Sequence, residues 1–196
     1  MKKLAVLLVL LGCVGLLAST SFATTLTFDE QALQGNGTPV GAFYIGQPGG
    51  PVFDAEAQIL TYPNYNYGGY PPQTFPDVVY DPGSGTFSVH FTTGTVSDVS
   101  VYFVTPFTLT LSAFDSHGNL IDTTSGGNNY GVGGMLFLND SGIATLTFSG
   151  TPNFYVIDDL SYTAGGGGSV PEPASLALFG SSILGVAGLI RRKIAK

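Results

Sequence analysis

Hydrophobic and polar residues alternate along the middle of the chain, in short runs separated by Gly, Pro, Asn and Asp. Phe87, Val89 and Phe91, for example, occupy every second position between polar residues. A period of two places successive side chains on opposite faces of a β-strand, so one face is buried and the other solvated. This pattern predicts strands over residues 24–28, 85–92, 96–104, 107–113, 119–123, 133–138, 142–148 and 154–163.

Short alternating strands at this spacing, with almost no helical periodicity, predict an all-β domain over residues 24–164. The expected architecture is an antiparallel β-sandwich of the jelly-roll type. Asp115-Ser116-His117-Gly118 is expected to form a turn between two of the strands. About 140 residues are enough for a single hydrophobic core, so one domain is predicted.

The segment 62–80 breaks the alternation with the sequence YPNYNYGGYPPQTFPDVVY. Its prolines and glycines predict a long surface loop rather than the interior of a sheet. Tyr65, Tyr67 and Tyr70 within it have two interpretations. Their flat rings could stack on sugar rings of a polysaccharide, or they could fold back to cover one end of the sandwich. The GGGGS sequence at 165–169 predicts a flexible linker after the domain.

The first residues have the organisation of a secretory signal. Lys2 and Lys3 precede an apolar run over 4–17, and Ser21-Phe22-Ala23 supplies small residues before a cut. We therefore predict a signal peptide over 1–23, with cleavage by signal peptidase after Ala23. Leu10-Leu11-Gly12-Cys13 offers an alternative, because it resembles a lipobox whose cysteine would be acylated. Cleavage after Ala23 would leave an exported chain without cysteine and hence without disulfides.

The last 27 residues, 170–196, combine three features in a fixed order. They are the triplet Pro171-Glu172-Pro173, an apolar run over 174–190, and a basic tail over 191–196 that includes Arg191, Arg192 and Lys193. The run has 17 residues, which at about 1.5 Å per residue is the short end of what spans a bilayer as a helix. A transmembrane helix with its basic end in the cytoplasm is predicted.

The order of the triplet, the short apolar run and the basic tail resembles the PEP-CTERM sorting signal of Gram-negative bacteria. The resemblance implies recognition by an exosortase at the inner membrane, removal of the tail, and delivery to the cell surface or the extracellular polysaccharide layer. An ordinary tail anchor is the alternative interpretation.

All six Lys and Arg residues lie in the two terminal signals. Of the thirteen Asp and Glu residues, only Glu172 lies in a signal, so residues 24–168 contain twelve acidic side chains and no basic ones. Such a domain cannot neutralise phosphate backbones, which argues against nucleic-acid binding. It would attract divalent cations, although acidic side chains also keep exported proteins soluble.

Two pairs of adjacent carboxylates stand out. Asp29 and Glu30 follow the first strand, and Asp158 and Asp159 lie inside the last. Strict alternation puts Asp158 on the same face as Phe154, Val156, Leu160 and Tyr162, the predicted core face. A buried carboxylate without a partner is costly, so a bound calcium ion, turn amides or a position at the sheet rim would have to stabilise it.

The last strand, YVIDDLSY, and the turn FDSHGNLIDTT resemble jelly-roll domains of PEP-CTERM proteins. They are also similar to carbohydrate-binding modules that end in a Tyr-x-Ile-Asp-Asp strand. That resemblance implies a structural calcium ion held by Asp29, Glu30, Asp158 and Asp159.

Residues 24–168 contain no Cys, Lys or Arg, so a catalytic site there could not use a thiol, an amine or a guanidinium group. His90 is predicted to face solvent from a strand and His117 to lie in a solvated turn. We therefore expect a non-catalytic protein. Two functions remain open at this point: a surface or matrix protein associated with exopolysaccharide, and a sugar-binding module that uses the tyrosine-rich loop.

Overall fold

The computed structural model describes residues 21–30, 35–64, 66 and 68–165. The predicted signal-peptide core, Cys13, the linker after Gly165, the apolar helix and the basic tail lie outside these residues. The regular elements of the described part are all β-strands. In chain order they are β1 (Phe22–Leu26), β2 (Pro51–Phe53), β3 (Gln58–Thr61), β4 (Asp77–Tyr80), β5 (Thr86–Phe91), β6 (Val96–Val104), β7 (Thr108–Phe114), β8 (Leu120–Gly127), β9 (Gly134–Leu138), β10 (Thr145–Ser149) and β11 (Val156–Ala164).

The strands form two antiparallel sheets. The first sheet has the order β3-β4-β11-β6-β9, with β1 paired to the C-terminal half of β11. The second has the order β2-β5-β10-β7-β8. From β5 onward the chain crosses repeatedly between the sheets, so β4-β11-β6-β9 in one is matched by β5-β10-β7-β8 in the other. Two interlocked Greek keys of this kind give a jelly-roll-like sandwich.

The main core lies between the sheets and explains why the alternating runs form these strands. Every second residue of β5, β7 and β10 is buried, as shown by Phe87, Leu111 and Phe148. The rings of Phe87 and Phe148 stack with their centroids 4.9 Å apart. Aromatic pairs at this separation stabilise a core beyond the area that they bury.

A second, smaller cluster lies on the outer face of the first sheet. It contains Val78, Tyr102, Val104 and Val156, with Tyr70 packed against it. Residues 68–76, which we call the strap, lie over this face. The Tyr102 hydroxyl donates to the carbonyl of Pro71 in the strap at 3.0 Å. The first sheet is therefore buried on both faces where the strap crosses it.

The predicted strands are all present. β6 has the predicted bounds, and the other strands begin or end a few residues away. The prediction missed β2, β3 and β4. The prediction of a loop through residue 80 was wrong for β4, because Asp77–Tyr80 pairs with both β3 and β11. Three of its four residues are buried, and such a short strand shows no alternation.

The prediction of strict alternation in β11 was also wrong. Asp159 has a positive φ of 45°, and the pairing with β6 shifts register between Asp158 and Ser161. A β-bulge at this point exchanges the two faces of the strand. Ile157 and Leu160 therefore both face the main core, while Asp158 lies with Val156 beneath the strap. A second positive φ, at Asp98, accompanies a compensating shift in β6.

Candidate functional site

The carboxylate of Asp158 fastens the strap to the first sheet. Its Oδ2 accepts hydrogen bonds from the backbone N–H groups of Gln73 and Thr74, both at 2.8 Å. Its Oδ1 accepts the N–H of Asp159 at 2.8 Å, and Asp159 in turn accepts the Thr74 hydroxyl at 3.1 Å. Of the three arrangements that could stabilise a buried Asp158, the turn amides are the one that the structure shows.

Burial dominates the electrostatics of Asp158, whose side chain has no exposed surface. Removal from water raises its pKa to about 7, although the backbone donors of Thr74 and Asp159 oppose the rise. Nearby Asp159 and Asp29 add like charge and raise the pKa further. The pKa of Asp159 is also raised, mainly by burial.

Asp29 and Glu30 lie at the same end of the first sheet. Oδ1 of Asp29 accepts the backbone N–H of Asp77 at 3.0 Å, and Glu30 accepts a short hydrogen bond from the Tyr44 hydroxyl. Asp77 itself is fully buried, and among the described residues no hydrogen bond of normal geometry reaches either of its carboxylate oxygens. Burial raises its pKa, the nearby Thr61 side chain opposes the rise, and the charges of Asp29 and Glu30 add smaller increases.

These contacts test the fit of a calcium ion. Calcium needs several oxygen ligands that converge on one point. Within the described ranges, no three acidic or histidine side chains gather in that way. The four predicted ligands, Asp29, Glu30, Asp158 and Asp159, are instead occupied as acceptors from separate protein donors. The side chains as placed do not form the predicted site, and calcium stays a prediction.

The tyrosine-rich loop divides into two parts. Tyr65 and Tyr67 lie outside the described residues. Tyr70 packs on the outer-face cluster, and its ring meets that of Tyr130 edge-on with centroids 5.0 Å apart. For Tyr70, therefore, folding back onto the sandwich is the interpretation that the structure supports. The sequence offered no signal for its partner, because Tyr130 lies 60 residues away in another loop.

The loop between β8 and β9, which contains Tyr130, is held by polar contacts against Asn66 and the strap. The Asn66 amide donates to the Tyr130 hydroxyl at 2.8 Å, and the Gly131 N–H donates to the Gly69 carbonyl at 2.8 Å. A Cβ at Gly69 would lie 2.0 Å from the Tyr130 hydroxyl, so only glycine allows this approach. Tyr130 nevertheless remains 46% exposed. Its ring is thus fixed in place and accessible.

The outer face of the second sheet is different in character. Hydroxyl side chains on neighbouring strands pair across it, at 3.1 Å for Ser88 with Thr147 and 2.9 Å for Thr110 with Ser125. His90 lies on this face, exposed, with Nδ1 3.2 Å from the Thr145 hydroxyl. The predictions for both histidines are confirmed, since His117 is exposed in the turn whose N–H groups bind Asp115.

The predicted cleavage position, Ala23, lies within β1. It pairs with Thr163 of β11, and Phe22 pairs with Ala164. The two ends of the sandwich chain are therefore neighbours. Sorting-motif residues Pro171, Glu172, Pro173, Arg191, Arg192 and Lys193 lie outside the described residues. In the part that the structure describes, no helix has the length and hydropathy needed to cross a membrane.

Comparison with known proteins gives one match to a protein family and several to solved structures. Residues 169–193 match the PEP-CTERM protein-sorting motif. No curated protein matches the chain. Among solved structures, a family 29 carbohydrate binding module is 13% identical, with 80% of this chain and 98% of that chain covered and a TM-score of 0.40. CBM29_1 from Piromyces equi is 11% identical, with 74% and 92% covered and a TM-score of 0.40.

Likenesses this distant say nothing about what this chain binds. The motif match is of another kind, because it covers the triplet, the apolar run and the basic cluster in one continuous segment. The sorting-signal resemblance drawn from the sequence is confirmed: residues 169–193 are a PEP-CTERM protein-sorting motif.

Proposed function

We propose that this chain is an exported, non-catalytic surface protein that an exosortase sorts into the extracellular polysaccharide layer. The motif at 169–193 is the observation that carries the proposal. Signal peptidase would act first at Ala23, and the exosortase would then act on the precursor held in the inner membrane. The mature protein would be the acidic sandwich alone.

The positions of the chain ends and of the basic residues support export of the sandwich across the inner membrane. Because Phe22 pairs with Ala164, the N-terminal and C-terminal ends of the sandwich lie side by side. Both signals carry their basic residues at the end away from the sandwich, which is the cytoplasmic end under the positive-inside rule. A precursor inserted by both segments would therefore hold the sandwich on the outer side of the inner membrane.

The test is the intact mass and location of the protein in its host, with and without the exosortase. We expect a mature form that begins at Thr24 and lacks the basic tail, and a longer, membrane-bound form when the exosortase is absent. Replacing Pro171, Glu172 and Pro173 together with Ala should give the same longer form. An identical mass and location in the presence and absence of the exosortase would overturn the proposal.

A second candidate function is binding of carbohydrate by the tyrosine-rich loop. The observation that favours it is the exposed ring of Tyr130, which Tyr70, Asn66 and Gly69 hold in a fixed orientation. Rigid, accessible aromatic rings suit stacking on sugars because little side-chain entropy is lost. Tyr65 and Tyr67, the other sugar-stacking residues that the sequence predicts, lie outside the described residues.

The packing of Tyr70 changes how this candidate should be tested. Tyr70→Ala would disturb the outer-face cluster, so lost binding in that variant would be ambiguous. Polysaccharide pull-down should instead compare Tyr130→Ala and the double variant Tyr65→Ala/Tyr67→Ala with Phe107→Ala, a change at a comparably exposed ring that packs against Phe154. Binding by the unmodified protein and by Phe107→Ala, lost in the other variants, would support the function. No binding to any glycan, with or without calcium, would remove it.

A further inference from the structure

The outer face of the second sheet carries parallel rows of hydroxyl groups. One row crosses four neighbouring strands at positions that lie opposite one another, Ser88, Thr147, Ser112 and Thr123. The hydroxyl oxygens of Ser88 and Thr147 are 3.1 Å apart, as are those of Ser112 and Thr123. A second row, from Thr86 on β5 to Ser125 on β8, is bonded in pairs in the same way. Neighbouring strands are about 4.8 Å apart and alternate residues about 6.8 Å apart along a strand, so the hydroxyl groups form a regular lattice.

This lattice is ordered and uncharged. The strands β5, β7 and β10 contain no Asp, Glu, Lys or Arg, although the surfaces of soluble proteins usually mix charged side chains of both signs. Asp122 of β8 is not part of the rows, because it lies opposite Ala113, which faces the core. Each hydroxyl pair uses one donor and one lone pair between its members, and so keeps a donor and further lone pairs for another molecule. The face is therefore preorganised to bind hydroxyl groups at little cost in side-chain entropy.

An apolar row lies beside the hydroxyl rows. Phe114 follows core-facing Ala113 on β7, so its ring points outward, where it is partly exposed. It lies opposite Leu120 of β8, which is 57% exposed. His90 of β5 lies exposed in the same row, beyond Thr145. The outer face of the second sheet thus presents rings and an aliphatic side chain next to hydroxyl groups.

These features together indicate the class of ligand. A sugar ring carries hydroxyl groups at its edge and apolar C–H groups on its faces, which matches hydroxyl rows beside an aromatic ring. A nucleic acid or a polyuronate would bring negative charge to a sandwich that has twelve acidic side chains and no basic ones. A peptide strand adds to the edge of a sheet and not to its face, where the backbone groups already bond to neighbouring strands. An uncharged polysaccharide satisfies all of these conditions.

We propose that an uncharged, extended polysaccharide binds across the outer face of the second sheet, with its hydroxyl groups on the Ser/Thr rows and a sugar ring against Phe114. This site does not use the tyrosine-rich loop, because Tyr70 packs on the outer face of the first sheet. The biological setting of the contact rests on the proposed function, which places the mature sandwich in a polysaccharide layer. Binding itself is a property of the sandwich and does not require the sorting motif.

The test is retention of residues 24–165 by insoluble polysaccharides. This segment contains the two core clusters and ten complete strands, with Thr24–Leu26 of β1. The probes are cellulose, chitin and mannan, which are uncharged, and cross-linked polygalacturonate, which is anionic. We expect retention by at least one uncharged probe and none by polygalacturonate. Added salt should leave the retention unchanged, because no charged groups meet at this face.

Two double variants remove hydroxyl pairs from the same row. Ser88→Ala/Thr147→Val should weaken binding about tenfold, since each lost hydroxyl removes a hydrogen bond to the ligand. Ser112→Ala/Thr123→Val removes the other pair of that row and should have a comparable effect. Alanine and valine at these outward-facing positions leave the buried face of each strand unchanged. Circular dichroism and thermal unfolding check that both variants keep the fold.

Thr25→Val/Ser161→Ala is the matched control, because it removes a hydroxyl pair, 2.7 Å apart, from the first sheet. It should leave binding unchanged. No retention by any uncharged probe would overturn the proposal, as would equal retention by polygalacturonate or equal weakening in the control. Binding that Tyr130→Ala abolishes and both row variants leave intact would assign retention to the tyrosine-rich loop and would also overturn it. None of these results bears on sorting, which the mass and location of the protein measure.

Discussion

The backbone N–H of Thr74 donates a 2.8 Å hydrogen bond to Oδ2 of Asp158, a residue 84 positions later in the chain. With the equivalent bond from Gln73, this contact fixes the strap over the outer face of the first sheet. Asp158→Ala would leave both N–H groups without an acceptor. We expect it to lower the free energy of unfolding by roughly 2 to 4 kcal/mol, measured by urea denaturation at pH 5, where the Asp158 carboxyl is protonated in the folded state.

Hydrogen exchange distinguishes a released strap from a general loss of stability. In Asp158→Ala, the amides of Gln73 and Thr74 should exchange much faster than those of β7 and β10. Asp159→Asn is the control, because asparagine tolerates the positive φ at this position and keeps an oxygen for the Thr74 hydroxyl. Equal acceleration throughout the sandwich would contradict the role given to Asp158.

The raised pKa values give the domain a definite pH dependence. An unfolded Asp has a pKa of about 3.9, whereas that of folded Asp158 is about 7. Between these values the folded state holds a proton that the unfolded state has released, so stability falls as pH rises through this window. A difference of three units corresponds to an order of 4 kcal/mol. Thermal unfolding should therefore have a clearly higher midpoint at pH 5 than at pH 8.

Asp77 offers a variant that tests the same idea. Its carboxylate is buried, no hydrogen bond of normal geometry reaches its oxygens among the described residues, and its pKa is raised, so ionisation at high pH is costly. Asp77→Asn removes that charge and should raise the unfolding midpoint at pH 8 more than at pH 5. Asp98→Asn is a matched change at an exposed aspartate with positive φ and should have little effect at either pH. A larger gain for Asp77→Asn at pH 5 would contradict this explanation.

Removal of calcium should leave the midpoint unchanged. The carboxylates predicted to bind it are occupied by protein donors and do not converge. Thermal unfolding in calcium, in magnesium at equal concentration and in chelator makes the comparison. The magnesium sample controls for general attraction of divalent cations to an acidic domain. A midpoint raised by calcium alone would show that these side chains rearrange around the ion.

Particular residues show why the fold was more predictable from sequence than the candidate site. The strands β5 and β7 have one buried and one solvated face, so the period of two appears directly in the sequence. β4 is buried on both faces beneath the strap, and its four residues carry no such signal. Its place depends on β11, which is distant in the chain.

The candidate site depended on one backbone angle. The sequence DD in the last strand predicts a buried carboxylate, but the bulge at Asp159 decides which way Asp158 points. Nothing in the local sequence distinguishes a bulge from a regular strand there. The strap partners of Asp158 could not be predicted either. They are backbone N–H groups, which nearly every residue carries, so no residue type marks them in the sequence.

The turn before β5 allows steric contact and backbone strain to be measured separately. Gly85 and Gly118 have similar positive φ angles, 76° and 81°. A Cβ at Gly85 would lie 2.5 Å from the carbonyl oxygen of Gly150, whereas a Cβ at Gly118 meets nothing within 4 Å. Gly118→Ala should therefore cost only the strain of a left-handed alanine, about 1 to 2 kcal/mol. Gly85→Ala carries that cost and must also displace Gly150, whose N–H donates to the Gly85 carbonyl at 2.8 Å.

We expect the total for Gly85→Ala to be at least about 2 kcal/mol larger, because two hydrogen-bonded backbone segments must move apart. Urea denaturation of the two variants measures the difference, in which the φ contribution cancels. Equal losses would mean that the Gly85–Gly150 contact relaxes freely, and that β5 and β10 are not held as closely at this end as the structure places them.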